Sequence, residues 1–232
     1  MRRCLCADRG RRICAAMSRQ AEIKAAEAIF AEHLAGMKPG DFAVDCGANV
    51  GRVTEQLAQT GAHVEAFEPD PVVFESLRKA CSGFSNVTLL QAAAGVETGE
   101  AELLRSPYFD EDPLKESEKN TICAEAVTGR KEGGWQPMDR ANAVKVPVVD
   151  LPAYLEEKIA RHGRIAVLKL DIEGMEVPIL NEMDQRGLFA GIGLTVAELH
   201  PWRFPDQAAE IKAMRETFGA RYPLTKVNLN WG

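Results

Sequence analysis

Long apolar runs are missing from this 232-residue chain, and so are paired-cysteine signatures. No stretch approaches the roughly 20 apolar residues that a bilayer-crossing helix needs, so no membrane span is expected. Six cysteines occur, at 4, 6, 14, 46, 81 and 123. None forms C-x-x-C; Cys4 and Cys6 make C-x-C with no histidine nearby, which argues against a zinc or redox pair. A secretory hydrophobic segment is also lacking, so reduced thiols and a cytoplasmic location are expected. Histidine is scarce, with four residues. His33, His63 and His162 fall at surface-like helix or strand-start positions, which leaves His200 for chemistry. Internal repeats are absent.

What is present is an ordinary globular composition, 46% hydrophobic and 27% charged, at a length suited to one α/β domain. The charge is uneven. Residues 1–20 hold six Arg and one acid, a balance of +5, which leaves −11 for the rest of a chain whose net charge is −6. An acidic body argues against non-specific nucleic-acid binding, which depends on neutralising phosphates. The basic start reads as a transit-like segment, a basic tail, or sequence upstream of a start at Met17. Residues 1–17 are expected to be disordered, because their apolar residues show no sustained period. Residues 18–232 are expected to form a single domain.

Strand and helix signals alternate along that domain. Ser18 caps a helix over 18–35 with Ile23, Ala26, Ile29, Phe30 and Leu34 as its apolar stripe. "FAVDC" (42–46) is a short buried strand, followed by a helix over 51–59. "HVEAFE" (63–68) is a strand, a helix opens at Pro71, and "NVTLLQAAA" (86–94) is a third strand. After a short strand near 95–106, residues 107–143 are polar and rich in Gly, Pro and acids. That is long for a connection in a compact domain, so the segment is either functional, as an insertion or lid, or disordered. Strands at 143–150, 164–174 and 192–200 then alternate with helices, and 221–231 alternates at period two as an edge strand. This order predicts an α/β fold: a doubly wound, mostly parallel sheet with helices on both faces. Ligands of such sheets bind beyond the carboxyl ends of the strands, where strand order reverses. Asp45, Glu68, Gln91, Asp171 and Glu198 to His200 all fall just there.

The first turn, "VDCGANVG" (44–51), suits two ligands: a dinucleotide or S-adenosylmethionine. A dinucleotide fingerprint is G-x-G-x-x-G, whose second glycine lets the backbone approach a pyrophosphate. Here Gly47 and Gly51 are present, but Asn49 stands at the second position. S-adenosylmethionine needs no such clearance. Asp45 would meet its ammonium, the start of helix 51–59 its carboxylate, and Glu68 its ribose diol. A plain strand–helix turn with Asp45 as a helix cap is the alternative.

The sequence resembles the FkbM-type methyltransferases, a branch of the class I S-adenosylmethionine-dependent enzymes. The matching pieces are "VDCGANVG", "AFEPDP" (66–71), "QAAAG" (91–95), "VVDLPAYL" (148–155), "VLKLDIEGMEVPIL" (167–180) and "VAELHP" (196–201). The specific element is K-x-D-x-E-G-x-E at Lys169, Asp171, Glu173, Gly174 and Glu176. The resemblance implies a Rossmann-like class I sheet of seven strands, closed by an antiparallel C-terminal edge strand. It also implies O-methylation of a sugar, lipid or natural product. Cofactor contacts then fall at Asp45, Gly47, Asn49, Gly51, Glu68, Gln91 and Ala92. The chain departs from the pattern after its last strand, where either one edge strand is missing or it comes from elsewhere, and in the long acidic segment 107–143.

"LKLDIEGME" carries a second constellation. Lys169, Asp171 and Glu173 alternate with apolar residues and share one side while the strand lasts. Glu176 falls in a helix's first turn, where negative charge is favoured. A structural Lys–Asp pair with helix capping is one reading. The other places Asp171 near the transferred methyl, joined by Glu198 and His200, with His200 or Asp171 taking the hydroxyl proton. Asp171, Glu173, Glu198 and His200 have the donors for a hard divalent cation, but their spacing does not require one and no metal is assigned. Trp135 either stacks on an acceptor or anchors the insertion, and Cys46 is a small buried filler. A small-molecule or glycan acceptor is therefore expected, without nucleic acid. The rivals are an NAD-dependent oxidoreductase and a non-catalytic S-adenosylmethionine-binding protein.

Overall fold

A computed structural model describes residues 18–131 and 134–232, with the side chains of 128–137 and 139 outside the description. The expected disorder of 1–17 and the role considered for the Trp135 ring lie outside the described residues. The element order is α1 (Arg19–Ala35), β1 (Phe42–Cys46), α2 (Arg52–Gln59), β2 (His63–Phe67), α3 (Pro71–Ala80), β3 (Val87–Leu90), β4 (Ala93–Gly95) and β5 (Gly99–Arg105). There follow α4 (Pro113–Glu116), β6 (Val127–Lys131), β7 (Gly134–Pro137), β8 (Asp139–Asp150), α5 (Leu151–His162), β9 (Ile165–Leu170), α6 (Glu176–Gln185), β10 (Ile192–Ala197), α7 (Ala208–Arg221) and β11 (Val227–Asn228).

The main sheet runs β11-β10-β9-β1-β2-β3, with parallel pairing throughout. Strand order reverses between β1 and β9, so the crevice beyond Cys46 and Leu170 is the topological switch point. Both faces of the sheet are covered, which is why β1 and β9 are buried at every residue and read as continuous apolar runs. On one face Ala43 and Val64 pack with Phe30 of α1 and Leu57 of α2. On the other, Phe42, Val44 and Phe67 pack with Leu155 of α5, Leu180 of α6 and Phe218 of α7.

The local chemistry of the helix starts matches the sequence. Ser18 accepts a hydrogen bond from the Ala21 amide (3.3 Å), and Asp70 and Asp150 cap α3 and α5, each followed by proline within the first two positions. Side-chain acceptors satisfy amides that the helix leaves free, and proline gives up none that is needed. Pro178 falls in the first turn of α6 as expected.

The expectations for the strands need correction. The strand read as 86–94 is two strands: β3 stays in the main sheet, while β4 pairs in parallel with β8 (Ala93 opposite Val148) in a second sheet ordered β4-β8-β5. The break falls at Gln91–Ala92, where the Ala92 amide turns back to the Leu90 carbonyl (3.0 Å). The C-terminal edge strand is parallel to β10, not antiparallel, and its ladder spans only Val227–Asn228. Helix α7 is the crossover that returns the chain to the same end of the sheet, and a helical crossover delivers a parallel strand. Among the described residues the main sheet therefore has six strands instead of seven, and antiparallel pairing occurs in the β5–β8 ladder. The segment 107–143 carries secondary structure of its own. It contains α4, the β6–β7 hairpin and the start of β8.

Candidate functional site

A cleft of about 550 Å³ opens at the switch point, within the size range of small-molecule and cofactor sites. Its floor is the turn after β1. The Gly47 and Ala48 amides donate to the Phe67 carbonyl (3.1 and 2.8 Å), which binds the turn to the end of β2. Gly47 has φ of 78°, and a Cβ there would lie 1.7 Å from the Asp171 carbonyl oxygen. Only glycine lets the turns after β1 and β9 approach so closely. Asn49 also has positive φ, 49°, a conformation that Asn tolerates better than most residues. Its Nδ2 donates to Ser117 Oγ (3.3 Å), joining the turn to the insertion between β5 and β8.

Glu68, one residue past β2, lines the cleft and is nearly buried. Its Oε2 accepts from the Asn49 amide (3.0 Å) and its Oε1 from the Asp70 amide (2.9 Å). Burial pushes its pKa up to about 7 against the pull of those two amides. Each oxygen keeps a free lone pair for a ligand hydroxyl.

Asp45 lies elsewhere. It is fully buried, does not line the cleft, and accepts from Thr54 Oγ1 (2.7 Å); its Oδ1 has no hydrogen-bond partner among the described residues and sits 3.5 Å from Lys169 Nζ. Lys169 Nζ also donates to the Gly47 carbonyl (2.7 Å) and lies 3.4 Å from Asp171 Oδ2. Burial alone would lower the Lys169 pKa, but Asp171 and Asp45 outweigh it and hold the ammonium charged.

Asp171, Glu198 and His200 follow the ends of β9 and β10 and meet at the cleft wall. His200 is 5% exposed. Its Nε2 lies 3.5 Å from Glu198 Oε1, 3.4 Å from Glu173 Oε1 and 3.8 Å from Asp171 Oδ1. Burial disfavours the imidazolium, yet the Glu198 hydrogen bond and the charges of Glu173, Glu176 and Asp171 prevail and raise the pKa to about 9. Glu176 braces the loop: its Oε1 accepts from the Ile172 and Glu173 amides (2.8 and 2.9 Å) and its Oε2 from the Gly174 amide (2.7 Å). Glu173 itself has φ of 59°, a strained conformation that such bracing sustains.

Of the positions singled out from sequence, Gly47, Asn49, Glu68, Ala92, Asp171, Glu198 and His200 line this one cleft, while Asp45, Gly51 and Gln91 do not. Gly51 starts α2 and packs over Leu77, and Gln91 is exposed. Arg203 went unremarked in the sequence. It is 1% exposed, pairs with Glu173, and donates to the Lys119 carbonyl (2.7 Å), so it ties the insertion to the loop after β9. Its nearness to "AELHP" was the available signal, but nothing local marks an arginine as buried. Trp202, about half exposed, and Trp231 also line the cleft.

The family model of the methyltransferase FkbM domain matches residues 45–222, most of the chain and all of this site up to His200 and Arg203. The chain belongs to the FkbM methyltransferase family. Among relatives of this FkbM domain, methyltransferase sdnD of Sordaria araneosa is 32% identical over 181 residues, covering 68% of this chain and 67% of that protein. The 31-O-demethyl-FK506 methyltransferase FkbM of Streptomyces tacrolimicus is 27% identical over 74% of this chain and 70% of its own length. Ribosomal RNA small subunit methyltransferase A of Thermotoga petrophila is 35% identical, but over only 35% of this chain and 33% of that one. A solved FkbM methyltransferase from Methylobacillus flagellatus KT aligns at 19% identity with a TM-score of 0.37, over 65% of this chain and 30% of its own. The FkbM assignment makes the chain a methyltransferase, and no described helix is long and apolar enough to cross a membrane.

Proposed function

We propose that the protein transfers a methyl group from S-adenosylmethionine to a hydroxyl oxygen of a small-molecule or glycan acceptor. The observation that carries this reading is the pairing of Glu68 with Asn49 at the switch point. Glu68 is held at the cleft by two amides, as a ribose diol requires, and the Asn49 side chain reaches across to Ser117. A pyrophosphate would need that space. Gly47, Asn49, Glu68 and Ala92 are then the cofactor contacts, with Gly51 shaping the turn. Asp45 acts from beneath, through Lys169 and the Gly47 carbonyl, and Gln91 contributes through its backbone at the sheet break.

In the reaction the acceptor oxygen attacks the methyl carbon in line. The new carbon–oxygen bond forms as the carbon–sulfur bond breaks, and the electron pair goes to sulfur, leaving S-adenosylhomocysteine. The hydroxyl proton passes to a carboxylate of the group formed by Asp171, Glu198 and His200, because the imidazole, with its pKa raised to about 9, already holds a proton near neutral pH. Holding both reactants at close range supplies much of the acceleration. A small-molecule acceptor is favoured by the acidic body of the chain and by sdnD and FkbM among its relatives. Trp202 offers an aromatic face at the cleft. Segment 107–143, which lends Ser117 to Ile122 to the cleft wall, serves as its lid. The setting is cytoplasmic; Cys46, Cys81 and Cys123 carry free thiols.

Calorimetric titration with S-adenosylhomocysteine and with NADH tests the cofactor. The first is expected to bind and the second to give no saturable heat; the opposite pattern removes the reading in favour of a dehydrogenase. The pH dependence adds a signature of Glu68. Its pKa is raised to about 7, so at pH 6 most molecules hold a proton that the diol must displace. Affinity therefore rises with pH, roughly tenfold between pH 6 and pH 8, and levels off above. Glu68→Gln is expected to bind weakly with no such trend.

A further inference from the structure

We infer that Asp171, Glu198 and His200 form a binding site for one hard divalent cation of the Mg²⁺ or Mn²⁺ class, which holds the acceptor hydroxyl. The inference rests on the methyl-transfer reading above and goes beyond it. One ligand atom from each of the three residues lies within 4.8 Å of the others, although their spacing along the chain gave no reason to expect a metal. All three line the cleft, and Asp171 and Glu198 are open to it, with side chains 30% exposed. Two carboxylates and one imidazole leave room for waters or a substrate oxygen, which suits Mg²⁺ or Mn²⁺ better than a closed structural site.

The second observation concerns the histidine. His200 is 5% exposed, and its Nδ1 has no hydrogen-bond partner among the described residues. That nitrogen faces Glu176 Oε1 at 3.8 Å, and the Glu176 carboxylate is itself fixed by three backbone amides. The ring is thus backed by a buried carboxylate on one side, while on the other Nε2 faces Glu173, Glu198 and Asp171 at 3.4, 3.5 and 3.8 Å. A carboxylate behind a histidine is the usual support of a metal-ligating imidazole, because it orients the ring and leaves the far nitrogen to the ion.

The charge balance points the same way. Asp45, Asp171, Glu173, Glu176 and Glu198 gather around the loop, and they outnumber the cationic groups beside them, Lys169, Arg203 and the His200 imidazolium, whose Nε2 proton an ion would displace. Lys169 is shared between Asp45 and Asp171, and Arg203 is taken by Glu173. Carboxylates gathered in excess of their cations repel one another, and a divalent cation at Asp171 and Glu198 relieves that repulsion. A coordinated hydroxyl would be more acidic; with the ion in place the three residues would serve as its ligands, and the proton would leave to water instead of to them.

The test uses the full chain and Mn²⁺ alone, followed by calorimetry and by the loss of the free-ion electron paramagnetic signal. The expected result is one Mn²⁺ per chain, weakened at least tenfold in Glu198→Gln and in Asp171→Asn. Glu210→Gln, on the exposed side of α7, is expected to bind as the wild type does. Absence of saturable Mn²⁺ binding up to millimolar concentration, or equal binding by wild type and both site variants, overturns the inference. S-adenosylhomocysteine titration of the same samples keeps the two readings apart. Chains that bind Mn²⁺ at these residues but not the nucleoside support the metal site and remove the cofactor. Chains that bind the nucleoside but not Mn²⁺ do the reverse. Melting curves identify any variant that fails to fold, and the other site variant and the wild-type stoichiometry then decide.

Discussion

Gly47→Ala is expected to abolish measurable cofactor binding and to lower the melting temperature. A methyl group at this position would lie 1.7 Å from the Asp171 carbonyl oxygen and 2.8 Å from its carbonyl carbon. Both are backbone atoms, so no side chain can swing aside. The turns after β1 and β9 must separate, and with them Glu68, held through Asn49, and the loop that carries Asp171. The left-handed φ adds roughly 1–2 kcal/mol, and forcing a close-packed contact apart adds about 1–3 kcal/mol. Gly163→Ala supplies the control. Gly163 has φ of 81°, nearly that of Gly47, but a Cβ there meets nothing within 4 Å. It isolates the conformational cost. Thermal melts of the two variants, with S-adenosylhomocysteine titrations, check the difference. If Gly47→Ala melts and binds like Gly163→Ala, the close approach of the two turns is not what shapes the cleft.

The second large effect is on turnover. Asp171→Asn and His200→Ala are each expected to lower kcat by about 10²–10⁴-fold, the usual range for loss of a positioned proton acceptor or its partner. Both are expected to retain cofactor affinity. Neither substituted side chain contacts Glu68 or Asn49, and the Asp171 backbone that packs against Gly47 is kept, so the Kd for S-adenosylhomocysteine should stay within about threefold, under 1 kcal/mol. Single-turnover rates separate this from a binding defect. Full turnover in both variants would mean that the strand ends of β9 and β10 do no chemistry, and that the Lys169–Asp171 pair is structural.

The strand ends were legible because parallel strands covered on both faces read as closed apolar runs, and the first charged residue after each run marks the crevice. Asp45, Glu68, Asp171 and Glu198 were found in that way, and three of the four line the cleft. Asp45 misled because an acid at a strand end can turn beneath the sheet as readily as into the cleft, and Thr54 on α2 holds it there. The break at Gln91–Ala92 was hidden because pairing partners are non-local: β4 leaves the main sheet to join β8, and nothing in "LLQAAAG" announces Val148. The direction of the last strand was misjudged because period-two alternation specifies a strand but not its neighbour's direction, which the α7 crossover decides. Arg203 escaped notice because its burial depends on Glu173 and on the carbonyls of Lys119 and Val127, all distant in sequence.

The most direct measurement is transfer of isotopically labelled methyl from S-adenosylmethionine, followed across a panel of hydroxyl-bearing sugars, macrolides and lipids alongside ribosomal RNA. The account predicts label on a small-molecule or glycan acceptor as an ether, stable to mild base, with one S-adenosylhomocysteine formed for each methyl moved. Label appearing only on RNA, or no acceptor methylated by a chain that binds the cofactor, would contradict it.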